Sequence, residues 1–219
     1  ARRAAPYKRP SLILQRPDRL VEIAKQYGGL QILFAGKAHP NDFAGTGNIK
    51  EILNIIDSLQ EQREHLKVIF LENYDTYIAK QLVSGVDVWL NNPLPPFEAS
   101  GTSGMKAVLN GVLQLSTMDG WVVEAADNEI GEIFGHRSEN GELGREMDLR
   151  LQEDSDSLYE KLELMVRDYR QVEQAQPEDR HASRWIDRMI HCLEVASFFN
   201  TSRMVTQYNQ GIWRMAPIG

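Results

Sequence analysis

Lys106 follows a turn rich in glycine and hydroxyl residues, and its type and spacing point most directly to chemistry. Gly101 and Gly104 free the backbone at this turn, and the hydroxyl groups of Ser100 and Thr102 can cap a helix that begins there. A helix start preceded by glycines attracts anions such as phosphate. A primary amine beside an anion site suggests a phosphorylated aldehyde held as a Schiff base; the alternative that the residues alone leave open is a solvated lysine on an amphipathic helix.

The pattern after the turn predicts a short helix from about Ser103 to Asn110, with Gly111 just past its end. Residues four apart share a face of a helix, which predicts a polar stripe. The stripe consists of Thr102, Lys106 and Asn110. The residues predicted to face a core are Met105, Val108 and Leu109.

Short apolar runs alternate with segments of helical periodicity along the chain. The predicted strands are Leu30–Ala35, Val68–Leu71, Val86–Leu90, Val112–Ser116 and a short one at Ile133–Phe134. The predicted helices run from Pro10 towards Gly28, over Ile49–His65, through Ile78 and Leu82, over Ser155–Arg170, from Pro177 to about Ser197, and over Thr201–Trp213. This alternation predicts an α/β fold with a parallel sheet and helices at the carboxyl terminus.

Polar residues follow the predicted strands, where ligands bind in open parallel sheets. They are Lys37 and His39, Glu72–Tyr74, Asn91 and Asn92, and Glu98–Lys106. His39 and Asp42 are too few to predict a metal site, and the glycines of this region lack the spacing of a phosphate-binding P-loop. We therefore expect the candidate site to lie along this edge of the sheet.

The amino-acid composition limits the classes of partner that the protein is expected to bind. The 219 residues are 42% hydrophobic, enough for one large domain, and the net charge of −7 argues against nucleic acid or an anionic membrane as the main partner. Cys192 is the one cysteine, which excludes an internal disulfide and fits a reducing compartment. No apolar run approaches the roughly 20 residues needed to span a bilayer. A cytoplasmic protein is expected, and the opening Ala1–Arg3 reads as the middle of a longer chain.

Three segments around Lys106 resemble a known family. EASGTSGMK at 98–106, LNG at 109–111 and TMDG at 117–120 closely resemble the pyridoxal-phosphate signature of the α-glucan (glycogen, starch, maltodextrin) phosphorylases. The Ser103-Gly104 pair resembles the shorter bacterial branch, and GKA at 36–38 and FFNTSRMVTQY at 198–208 extend the resemblance over nearly the whole chain. The resemblance implies that residues 1–219 are one Rossmann-like, C-terminal domain of a GT-B glycosyltransferase, without its N-terminal domain.

The resemblance also implies a cofactor and a set of site residues. Pyridoxal 5'-phosphate would be bound as a Schiff base on Lys106. Its other implied ligands are Arg2, Lys8, Tyr74, Gly101 and Thr102. The residues implied to bind substrate are Arg3, Glu98, Ser100 and Gly101, with Arg3 on inorganic phosphate and Glu98 on sugar hydroxyls. Arg3, Lys8 and Lys106 are the residues implied to take part in catalysis.

The implied activity is phosphorolysis of terminal α-1,4-glucosyl units of a glucan by inorganic phosphate, giving glucose 1-phosphate with retention. No metal is expected, and the sequence leaves open whether the parent enzyme is a homodimer. Two other classes remain open: a nucleotide-sugar glycosyltransferase of the same GT-B architecture, and a non-catalytic domain that binds cofactor or glucan. The 219 residues alone are expected to turn over no glucan, because half of the cleft would lie on the N-terminal domain.

Overall fold

The computed structural model describes residues 1–125, 128–135, 146–174 and 184–216. Within these residues, strands and helices alternate through the first two thirds of the chain and helices follow. The strands are β1 (Leu30–Ala35), β2 (Leu66–Leu71), β3 (Val88–Asn91), β4 (Leu113–Thr117) and β5 (Gly131–Phe134). The α-helices are α1 (Pro17–Gln26), α2 (Phe43–Ser58), α3 (Thr76–Gly85), α4 (Thr102–Val108), α5 (Glu146–Gln174), α6 (Arg184–Phe198) and α7 (Thr201–Tyr208).

All pairs among the described strands are parallel, as the sequence predicts, but these strands form two sheets instead of one. β1 pairs with β2 from Leu30 opposite Leu66 onwards, and β4 lies between β3 and β5 in a second sheet. A cleft of about 650 Å³, lined by residues of both β1 and β3, lies between the two sheets. The α/β fold class is therefore confirmed, and the single sheet is corrected to a two-stranded and a three-stranded one.

The first residues of the chain connect the two sheets at the carboxyl ends of their strands. The Arg2 N–H donates to the carbonyl of Ala35 at 3.0 Å, and the Ala4 N–H donates to the carbonyl of Lys37 at 3.4 Å. The guanidinium of Arg2 donates to the carbonyl of Leu90 at the end of β3. This edge of the molecule is the one at which the sequence predicts the site.

Apolar side chains from strands and helices form a large buried cluster and a smaller one. The large cluster joins α1, both sheets and α5, and includes Leu20, Ile23, Leu66, Leu113, Leu115, Leu158 and Met165. The smaller cluster consists of Ala35, Leu82, Trp89, Ala107 and Val112. Because Ala107 belongs to α4, the helix that carries Lys106 packs on this smaller cluster.

Several helix boundaries differ from the predicted ones because capping decides them. The predicted start at Pro10 is wrong: a 3-10 turn covers Leu12–Leu14, and α1 begins at Pro17, whose fixed φ suits a first helical turn. α2 begins at Phe43, six residues before the predicted Ile49. There the Asp42 carboxylate accepts the N–H of Gly45 at 2.8 Å and caps the helix.

The carboxyl-terminal third is helical, as predicted, with different limits. α5 is longer at both ends than the predicted Ser155–Arg170. The predicted start at Pro177 lies outside the described residues, as does part of the surface segment predicted over 127–148. α7 ends at Tyr208, and a π-helical turn continues it over Asn209–Trp213.

None of the described helices combines the length and the apolar character needed to cross a membrane. In the described ranges, no three histidine, cysteine, aspartate or glutamate side chains come together as metal ligands. Cys192 is fully buried, and burial raises the pKa of its thiol to about 12, so it is not a reactive thiolate at neutral pH.

Leu115→Ala and Leu109→Ala make the same change at two very different exposures. Leu115 in β4 is 1% exposed, and Leu109 after α4 is 61% exposed. We expect Leu115→Ala to lower the free energy of unfolding by about 2–5 kcal/mol, since it leaves a cavity. Leu109→Ala should change it by less than about 0.5 kcal/mol. Urea unfolding followed by circular dichroism measures both, and equal losses would contradict this placement of the core.

Candidate active site

α4 carries Thr102 and Lys106 of the predicted polar stripe, whereas Asn110 lies beyond its end at Val108. Thr102, Lys106 and Asn110 are exposed, as predicted, and Val108 is buried. The prediction that Leu109 faces the core is wrong, because the helix ends at Val108 and Leu109 lies in the turn that leads to Gly111 at φ +74°. Lys106 lies in the last turn of α4 and is exposed to solvent.

The two glycines before Lys106 are each required by the structure, for different reasons. Gly101 precedes α4 with φ +85°, a left-handed conformation that favours glycine. A Cβ on Gly104 would lie 2.7 Å from Nε1 of Trp121 and 2.9 Å from Oε1 of Gln114. The Gly-x-x-Gly spacing thus sets the start of the helix and lets it pack closely on the Trp121 indole.

The guanidinium of Arg2 is bound to the carboxyl end of β3. Nη2 donates to the carbonyl of Leu90 at 2.6 Å and to Oδ1 of Asn92 at 2.7 Å, and Nη1 donates to Oδ1 of Asn91 at 3.3 Å. Burial lowers the pKa of Arg2 to about 10, so this side chain stays cationic at neutral pH. Arg2 thereby brings a largely enclosed positive charge to the site.

Lys8 and Glu98 form an ion pair, and their side chains are only 13% and 9% exposed. The Lys8 ammonium also lies 4.9 Å from the ring centroid of Tyr7, and the Tyr7 carbonyl accepts the N–H of Leu94 at 2.7 Å. The structure thus brings together one predicted phosphate ligand and the predicted sugar ligand. Arg3 is exposed and makes no hydrogen bond or ion pair within the described part of the chain.

Arg9 also binds the loop between β3 and α4, and the sequence analysis did not select it. Its Nε donates to the carbonyl of Asn92 at 3.0 Å and its Nη2 to the carbonyl of Pro93 at 3.1 Å, while it pairs with Asp154 of α5. The Asn92 side chain in turn donates to the carbonyl of Arg9 at 2.7 Å. The sequence signal that could have selected Arg9 is its position directly after Lys8 and before Pro10.

Residues 117–121, which begin with the last residue of β4, bind the loop between β3 and α4 from the other side. The Thr117 hydroxyl donates to the carbonyl of Pro93 at 3.0 Å, and the Trp121 N–H donates to the carbonyl of Ser100 at 2.8 Å. Between them the Asp119 carboxylate accepts the N–H of Glu98 at 2.9 Å. Burial raises the pKa of Asp119, and the N–H groups of Glu98 and Gly120, which both donate to its carboxylate, oppose that rise. The sequence analysis gave Asp119 no role, although it stands in the TMDG segment.

Tyr74 follows β2 and is half-buried against the smaller apolar cluster. Burial raises the pKa of its phenol. Its hydroxyl makes no hydrogen bond among the described residues, so packing is the role that these contacts give it.

The chain is similar to a family of known enzymes over most of its length. Residues 7–176 match the family described as carbohydrate phosphorylase. The maltodextrin phosphorylase of Thermococcus litoralis is 43% identical over 211 residues, which are 95% of this chain and 24% of that protein. The glycogen phosphorylases of Aquifex aeolicus and Mycobacterium tuberculosis are 39% and 38% identical over 212 residues, 95% of this chain and 28% and 23% of those proteins.

This chain belongs to the carbohydrate phosphorylase family. The match over 7–176 contains the Lys8–Glu98 pair, α4 with Lys106, and Asp119, whereas Arg2 and Arg3 precede it. The chain spans about a quarter of the length of these phosphorylases.

Gly120→Ala tests how closely the segment after β4 approaches the loop. Gly120 has φ +60°, and a Cβ there would lie 2.4 Å from the Ser100 carbonyl oxygen. We expect the free energy of unfolding to fall by more than about 1 kcal/mol in urea unfolding. The matched control is Gly47→Ala in α2, where nothing lies within 4 Å and alanine should stabilise by about 0.5–1 kcal/mol. A neutral Gly120→Ala would contradict the close approach.

Proposed function

We propose that this carbohydrate phosphorylase chain binds pyridoxal 5'-phosphate through Lys106. We propose further that the parent enzyme cleaves terminal α-1,4-glucosyl units from a glucan with inorganic phosphate and releases glucose 1-phosphate with retention. Residues 1–219 would then form one domain of the GT-B glycosyltransferase architecture, in the cytoplasm. The observation that carries the proposal is an exposed lysine directly after the loop that holds the Lys8–Glu98 pair, inside the segment that matches the family.

The donors of the site fit an aldehyde with a phosphate arm. Lys106 offers an exposed primary amine, which an aldehyde requires, and Arg3 offers an exposed guanidinium. Asn91 is 4% exposed, and its Nδ2 has no hydrogen-bond partner among the described residues. This amide lies 3.7 Å from where a Cβ of Gly101 would be, so a buried donor without a partner lies beside the turn before α4. Such a donor suits a ligand that brings acceptor oxygens.

When bound, the cofactor would supply a phosphate group whose second pKa of about 6 suits proton exchange with inorganic phosphate at neutral pH. The protein's part is to hold two anions close together, which requires cations around them. We assign Lys8 and Arg2 to the cofactor phosphate, together with the backbone N–H groups of Gly101 and Thr102, and Arg3 to inorganic phosphate.

The present partners of these cations limit how they could act. Arg2 already gives three hydrogen bonds to β3 and the residue after it, and its Nε–H has no partner among the described residues. Lys8 would exchange the Glu98 carboxylate for a phosphate oxygen. Glu98 would then be free to accept sugar hydroxyls, with Ser100 and Gly101 beside it. Tyr74 would need to turn its hydroxyl from the apolar cluster towards the cofactor phosphate.

Borohydride trapping tests the Lys106 assignment. The chain is incubated with pyridoxal 5'-phosphate and reduced, and the labelled peptides are identified by mass spectrometry. We expect about tenfold more label on Lys106 than on Lys80, an exposed lysine of α3, because a preference of about 1.4 kcal/mol for the site is enough for that ratio. Lys106→Arg should remove the site label, and Lys80→Arg should leave it unchanged.

Equal labelling of Lys106 and Lys80 would contradict the proposal. A chain that takes no specific label but binds a nucleotide sugar would support the glycosyltransferase alternative instead. A chain that takes the label at Lys106, within a parent enzyme that forms no glucose 1-phosphate, would support a binding role alone.

A further inference from the structure

Asp119 uses both oxygens of a buried carboxylate on backbone donors. Asp119 is only 6% exposed. Oδ2 accepts the N–H of Glu98 and Oδ1 accepts the N–H of Gly120, each at 2.9 Å. Burying a charge is costly unless hydrogen bonds compensate for the lost water, and bonds to an ionised acceptor are stronger than neutral ones. Asp119 is thus held in place by its own segment and holds the peptide of Glu98.

The hydrogen bond to Asp119 fixes the backbone of Glu98, whose carboxylate pairs with Lys8 near the start of the chain. Glu98 is bound at its backbone by Asp119 and at its carboxylate by Lys8. Two residues further on, the Ser100 carbonyl accepts the Trp121 N–H. The backbone around Glu98 is therefore held at two points, at the Glu98 N–H by Asp119 and at the Ser100 carbonyl by Trp121. Both partners lie in the segment after β4, and together they set the direction of the Glu98 side chain.

We infer that Asp119 is a positioning residue, which fixes the direction of the Glu98 carboxylate and thereby its pairing with Lys8. The role of Glu98 towards sugar hydroxyls rests on the proposed function, but its pairing with Lys8 does not. Asp119 touches no ligand in this account and acts through Glu98 alone.

The inference requires a carboxylate at position 119 and not an amide. An asparagine side chain has one acceptor oxygen and one NH2 donor, so Asp119→Asn can keep one of the two backbone bonds and turns a donor towards the other N–H. Asp75 is the matched control, because it caps α3 with a single bond, from the Ile78 N–H at 2.9 Å. Asparagine is as good a cap there, so Asp75→Asn should be silent at the site.

The experiment compares the wild-type chain, Asp119→Asn and Asp75→Asn without cofactor or glucan. Amide hydrogen exchange by NMR reports the Glu98 N–H, with Leu115 of β4 as the reference for global opening. Trace acetylation of amines, read by mass spectrometry, reports how well Lys8 is paired, with Lys80 as the reference. In Asp119→Asn we expect exchange at Glu98 and acetylation of Lys8 each to rise about tenfold, the effect of losing about 1.4 kcal/mol of local protection. Leu115 and Lys80 should keep their wild-type rates, and Asp75→Asn should match the wild type throughout.

Unchanged rates at Glu98 and Lys8 in Asp119→Asn would overturn the inference. A parallel rise at Glu98 and Leu115 would also overturn it, since Asp119 would then serve only global stability. If Asp119→Asn does not fold, the wild-type chain decides: a through-hydrogen-bond NMR coupling between the Glu98 amide nitrogen and the Asp119 carboxylate carbon is expected, and its absence overturns the inference. Because no measurement uses pyridoxal phosphate, failure of the Lys106 labelling leaves this result interpretable.

Discussion

The hydrogen bonds between the loop at 93–100 and residues 117–121 are the constraint on which the site depends. The loop leaves the sheet after β3, so its backbone groups have no strand to pair with and need other partners. Thr117, Asp119 and Trp121 supply these partners at three points, from the end of the neighbouring strand β4. α4 begins directly after the loop. The position of Lys106 therefore depends on hydrogen bonds that are made by other residues.

The charges of the site are placed before any ligand arrives. Arg2 is enclosed by oxygens at the end of β3, and Lys8 is paired with Glu98. A cation that already has a protein carboxylate as partner loses less on desolvation than a free one, and it can change partners when a phosphate enters. Under the proposed function, charges placed in this way would lower the cost of bringing two anions together, and Lys8 would exchange Glu98 for a phosphate oxygen.

The sequence predicts the parts of this fold that follow local patterns. The parallel strands and the short helix with Lys106 on its exposed side follow from periodicity and from the position of glycines. The start of α2 was predicted six residues late because the Asp42 cap decides it, not the apolar repeat. Leu109 was assigned to the core because the helix was drawn past Val108.

Other features have no local signal. Arg2 is bound mainly by a backbone carbonyl and two asparagine oxygens about ninety residues away, and no spacing within the sequence encodes such partners. In the sequence Asp119 looks like an ordinary turn residue, because nothing there indicates that its Oδ2 accepts the N–H of Glu98. The division into two sheets has no counterpart in the strand patterns, which predict where strands lie but not which strands pair.

A crystal structure of the chain grown with pyridoxal 5'-phosphate would test the central claim most directly. The account predicts continuous density from Nζ of Lys106 to the cofactor, with its phosphate beside Lys8 and the Lys8–Glu98 contact broken. Cofactor density at another lysine, or a free Lys106 with the Lys8–Glu98 pair intact at saturating cofactor, would contradict it.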